Sequence, residues 1–118
     1  MNINTKDLVG KALDYAVTRA LNPNFEYGEG VYLTPYSTDR NCADVLITAH
    51  GIRVSQTANV WTASLENLQG LKPITESGPT REIAAMQCFA VSRLGVKVDV
   101  PDELLYDLQN GGNLHDNA

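Results

Sequence analysis

The segment from Pro79 to Gly95 constrains the fold of this chain more than any other. Proline fits the first position of a helix, where the N–H it lacks would have no partner, and glycine fits the residue just past a helix end. Between them Ile83, Ala84, Met86, Ala90, Val91 and Leu94, joined by Cys88 and Phe89, give a broad apolar face. This helix is expected to be the most buried element of the molecule.

A second helix is expected near the start. Asn4 or Thr5 can cap it, and Leu8, Val9, Ala12, Leu13, Ala16, Val17, Ala20 and Leu21 then fall on one stripe. Lys6, Asp7, Lys11, Asp14, Thr18 and Arg19 are placed mostly on the wet side, and Asn22-Pro23-Asn24 stops the helix. Residues 22–44 carry Phe25, Tyr27, Tyr32 and Tyr36 among Pro23, Gly28, Gly30 and Pro35 with no sustained period, which predicts a long ordered loop or two short extended segments. Asp44 to His50 has strand-forming residues, yet Gly51 stands where a helix ends, so a short helix is preferred.

Ile52–Ser55 and Val60–Leu65 predict a small hairpin with Trp61 as its aromatic anchor. Gln69 to Gly78 reads as a polar connection. Val96, Val98 and Val100 alternate with Lys97 and Asp99 as a half-buried strand, ended by Pro101, and Asp102–Leu108 can make one or two helical turns. The expected fold is α+β: a small antiparallel or mixed sheet, from the 52–65 and 96–100 regions, packed by the N-terminal amphipathic helix and the second long helix. One domain over residues 1–109 and a disordered tail over 110–118 complete the expectation.

Composition narrows the function classes. Of 118 residues, 43% are apolar and 19% charged, which suits a folded domain. A formal charge of -5 and a pI near 4.8 argue against binding duplex nucleic acid, which needs clustered cations. Arg40, Arg53, Arg81 and Arg93 are far apart in sequence and form a cationic pocket only if the fold brings them together. No run approaches the ~20 apolar residues of a membrane span. Cys42 and Cys88 have no CxxC spacing, no His partner at ligand spacing and no leader ahead of them, which suits reduced cytosolic thiols.

Three stretches, in order, resemble a known family. They are Leu8-Val9-Gly10-Lys11-Ala12-Leu13-Asp14-Tyr15-Ala16-Val17; Tyr36-Ser37-Thr38-Asp39 with the apolar run to Gly51-Ile52; and Trp61-Thr62-Ala63 followed by Gly78-Pro79-Thr80, Ile83-Ala84-Ala85-Met86 and Val98-Asp99-Val100-Pro101. The set is similar to the NinX family, accessory proteins of lambda-like phages with a domain of unknown function. The family favours Trp after the Ser-Thr-Asp triplet and glycines soon after, where this chain has Arg40, Ala43 and Asp44. It often has apolar residues after Gly-Pro-Thr, where this chain has Arg81-Glu82. The resemblance implies a phage origin and the cytoplasm of the infected bacterial host.

Two polar segments are candidate ligand sites. Gly78, Pro79, Thr80 and Arg81 at a helix start offer free N–H groups, a hydroxyl and a full charge to an anion; the alternative is a helix that caps itself through Ser77 or Thr80. Tyr36, Ser37, Thr38, Asp39 and Arg40 offer hydroxyls, a carboxylate and a stacking ring; the alternative is an Asx or ST turn leading into the next element. Phe25 and Trp61 suit core filling, and the tyrosines suit exposed work. His50 and His115 are the only histidines, and no metal-ligand spacing, GxSxG or phosphate-binding glycine loop is present.

These readings point away from catalysis, metals and cofactors, and toward a non-enzymatic accessory protein that binds a small anionic nucleotide-type ligand. Sequestration of a host immune signalling nucleotide fits a phage setting. A protein-binding inhibitor or adaptor for a host factor is the alternative, and a nucleotide-processing enzyme the third. Apolar surface left by two helices and a small sheet would also favour a homo-oligomer.

Overall fold

The computed structural model describes residues 2–66 and 73–105, and its elements make an α+β fold. In chain order they are β1 (Asn2–Asn4), α1 (Gly10–Leu21), α2 (Arg40–His50), β2 (Arg53–Thr57), β3 (Val60–Leu65), β4 (Ile74–Gly78), α3 (Arg81–Leu94) and β5 (Lys97–Asp99). Short 3-10 turns lie at Thr5–Asp7 and Asp102–Leu104. The expected tail over 110–118 lies outside the described residues, as do 69–72 of the expected connection.

The centre of the molecule is α3, where every residue from Ala84 to Ala90 is buried. It packs on α1, on α2 and on the sheet of β2, β3 and β4, so its wide apolar face is covered from several sides. Phe89, Met86, Cys88, Leu8, Leu13 and Val17 are fully buried in the shared core. Gln87, the polar exception on α3, donates from Nε2 to the Leu8 carbonyl at 2.8 Å and so ties the lead-in of α1 to the core helix. The Cys88 Sγ–H faces the Ile74 carbonyl at 3.3 Å, and burial, helped by Glu76, pushes this thiol up to about 12. Neither Cys42 nor Cys88 is in a disulfide.

Several sequence expectations are corrected. The helix at the start begins at Gly10, because Asn2–Asn4 is a strand and Thr5, the expected cap, is drawn away. Thr5 is fully buried, takes the Val96 carbonyl with its N–H at 2.8 Å and donates its hydroxyl to the Gly95 carbonyl at 2.7 Å. The sheet is also not single: β1 pairs antiparallel with β5, while β2, β3 and β4 form a separate antiparallel sheet. Residues 74–78, expected as connection, are β4, with Ile74, Glu76 and Gly78 facing the same way as Leu65, Ala63 and Trp61 of β3. Pro79, expected at the first helical position, lies before the Thr80 cap of α3, two residues ahead of the first helical residue Arg81.

The hairpin of β2 and β3 turns through Ala58 and Asn59, and Ala58 is held at φ +55. Positive φ at the first of two turn residues is the sign pattern of a type II′ turn, which wants glycine there. Ala58→Gly is expected to raise stability by about 0.5 kcal/mol, the relief of a left-handed alanine less the extra freedom of glycine in the unfolded chain. Urea denaturation measures this, and a loss of stability would contradict the assigned turn.

Candidate functional site

The loop from Asn22 to Asp39 folds back over α1 and makes a concavity there. Aromatic contacts anchor its first half: the Tyr15 ring lies 6.0 Å from Phe25 and 6.4 Å, edge-on, from Tyr27. Arg19 adds Nη1–H bonds to the Tyr15 hydroxyl at 3.2 Å and the Phe25 carbonyl at 3.3 Å. A turn follows in which Val31 N–H reaches the Gly28 carbonyl at 3.1 Å, with Gly30 at φ +81 where a side chain would be strained.

Ser37 anchors the second half. It is 2% exposed, gives its N–H to Asp14 Oδ1 at 2.8 Å and gives its hydroxyl to the Gly10 carbonyl at 3.2 Å. Asp14 was expected on the wet side of α1, yet it is 4% exposed because this loop lies over it. Burial pushes its carboxyl above the usual carboxylate range, opposed by the Ser37 hydrogen bonds and by Lys11.

Between loop and helix lies an open cleft of about 420 Å³, lined by Gly10, Lys11, Asp14, Tyr27, Val31, Tyr32, Leu33, Pro35 and Thr38. That volume is within the ~300–1,000 Å³ common for small-molecule sites. Tyr32, 78% exposed, stands at its edge as a largely bare aromatic ring. The start of α1 abuts the cleft and has no side-chain cap, since its N-cap residue is Val9. The other two α-helices cap themselves.

Those caps decide the fate of the sequence candidates. Asp39 accepts the Asn41 and Cys42 N–H groups at 2.8 and 3.2 Å and starts α2, with Arg40 its exposed first residue. Thr80 accepts the Ile83 N–H at 3.1 Å and starts α3. Tyr36 packs half-buried on the core, and Gly78 sits opposite Trp61 in the sheet. Arg81 Nη2 meets Asp44 Oδ1 of α2 at 2.6 Å, and its Nη1 lies 3.8 Å from Glu82. Arg81 Nη1 and Asp44 Oδ1 have no directed hydrogen bond, so this contact is an ion pair by charge rather than by alignment.

The two polar segments are thus linked through α2, but only Thr38 of the nine candidates lines the cleft. Sequence reasoning singled out Tyr27 and Tyr32 for exposed work but missed Lys11 and Asp14, which share the cleft with them. The available signal was that Ala12, Leu13, Tyr15, Ala16 and Val17 are too apolar on too many sides for a helix with one covered face.

The remaining charged groups lie elsewhere. Arg93 packs its guanidinium 5.1 Å from the Phe89 ring centre, with Nη2 at 3.3 Å from His50 Nδ1, and it is about 18 Å along the helix from Arg81. His50 ends α2 over the Phe89 ring at 4.7 Å. Burial, then Arg93, lowers its pKa. Arg53 is exposed on β2. Among the described residues, no group of three or more His, Cys, Asp and Glu could hold a metal ion, and no helix is long and apolar enough to cross a membrane.

Fold and site together define a small α+β domain with a loop-roofed, ligand-sized cleft on its first helix. Compared with known protein families and with curated proteins, the chain finds no match.

Proposed function

We propose that this is a non-enzymatic accessory protein that binds a small nucleotide-type anion in the cleft between α1 and the 22–39 loop. The lining carries the reading: a cation, a buried carboxylate and two tyrosines converge on one ligand-sized space. Lys11 supplies charge for a phosphate, the uncapped start of α1 adds its partial positive end, and Tyr27 and Tyr32 offer rings to a base. The resemblance to phage accessory proteins supports a setting in an infected host, where such a protein would hold a signalling nucleotide away from its receptor. The Gly78–Arg81 segment takes no part, since its hydroxyl and its charge are engaged by Ile83 and Asp44.

A thermal-shift and calorimetric series with linear and cyclic nucleotides tests this. Stabilisation of about 2.7 kcal/mol is expected at a hundredfold excess over Kd. Lys11→Ala is expected to weaken binding about tenfold, the scale of one charge-assisted hydrogen bond, and to reduce its salt dependence. Failure of every nucleotide to shift the melting temperature at millimolar concentration would remove the proposal.

A further inference from the structure

We propose that the cleft selects a guanine-type base, through two adjacent N–H donors presented to the Asp14 carboxylate; this rests on the nucleotide reading above and sharpens it. Asp14 is 4% exposed and yet forms part of the cleft wall. Its Oδ1 accepts the Ser37 N–H at 2.8 Å, which fixes the carboxylate on α1. A carboxylate has about four lone-pair sites on two oxygens, so the Ser37 hydrogen bonds, from its N–H and its hydroxyl, leave acceptor capacity for a ligand.

A buried carboxylate demands donors, because every acceptor set against it adds repulsion in a medium that screens poorly. Guanine carries N1–H and the 2-amino group side by side, the pattern a carboxylate accepts in two parallel bonds. Adenine and cytosine place their amino group next to a ring nitrogen that is itself an acceptor, and the uracil N3–H lies between two carbonyls. Each of these sets a lone pair against Asp14. A simple ammonium ligand would also satisfy the carboxylate, but Lys11 shares the same wall and repels it. A ligand with a donor edge and an anionic end answers both residues. The Tyr32 ring, 78% exposed at the edge, is free to stack on the base between those ends.

Calorimetric titration of the full chain with GMP, IMP and AMP decides the matter, because IMP keeps the N1–H and lacks the 2-amino group. GMP is expected to bind about tenfold more tightly than IMP, and IMP more tightly than AMP. Asp14→Asn keeps an oxygen for the Ser37 N–H while turning one acceptor into a donor, and it is expected to erase the GMP advantage. Equal affinities of the wild-type protein for all three overturn the guanine assignment and leave the nucleotide site standing. No binding of any of the three overturns both. If Asp14→Asn does not fold, the ranking of the three nucleotides on the wild-type protein is the deciding result.

Discussion

Phe89→Ala is expected to lower the stability of the protein by about 3–5 kcal/mol, a large share of the ~5–15 kcal/mol typical of a domain. Phe89 has no exposed surface and sits on the helix that α1, α2 and the β2–β3–β4 sheet all pack against, so the space it leaves is bounded by elements that cannot close together. The substitution also strips His50 of its ring partner at 4.7 Å and Arg93 of its ring at 5.1 Å. In thermal denaturation the midpoint should fall by on the order of 15 °C, and Phe89→Leu, which leaves less empty volume, should lose about a third as much. A drop of under about 1 kcal/mol for the alanine variant would mean that α3 is not the centre of the core.

The second large effect is expected at Gly78, for a reason of space rather than backbone angle. A Cβ there would lie 3.0 Å from Ile83 Cγ2, 3.1 Å from the Ala84 nitrogen and 3.4 Å from its Cα. The Ala84 N–H is already bonded to the Thr80 carbonyl at 3.0 Å in the first turn of α3, so the obstacle is backbone that cannot swing aside. Relief requires β4 to slide away from α3, against the pairing of Gly78 with Trp61. Gly78→Ala is therefore expected to destabilise by about 1–3 kcal/mol in urea denaturation. Gly28, whose added Cβ meets nothing within 4 Å, is the matched control and should change by less than about 0.5 kcal/mol on the same substitution. Similar losses at both positions would refute the packing argument.

What could be read from sequence follows how local each determinant is. α3 was legible because its apolar face and Gly95 lie within one continuous stretch, and α2 because Gly51, at φ +65, marks its end. Its first turn was not, since Asp39 serves a cap or a ligand with the same atoms. For Asp39 and Thr80 the local hydrogen-bonding alternative is the one the structure adopts. β4 lacked a signal because Thr75, Glu76 and Ser77 show no apolar alternation, and their strand exists through pairing with β3. β1, with Ile3 between two asparagines, depends on β5 near the far end of the chain, which is why one expected sheet became two.

The cleft was the least legible part, and Asp14 shows why. Its neighbours mark it only as a polar residue on a helix, and its burial is decided by Ser37 at the other end of a loop with no periodic pattern. Its role is set by tertiary contact, which spacing along α1 does not record.

The pairing of β1 with β5 also places a clock on biosynthesis. The Asn2–Asn4 strand is translated about 5–20 s before its partner Lys97–Asp99 at ordinary elongation rates. Throughout that interval Ile3 has no opposing strand and Thr5 has no Gly95 carbonyl to engage. Until Lys97–Asp99 is made the clasp across the molecule stays open, so a chain cut short before Lys97 leaves its Asn2–Asn4 strand without a partner.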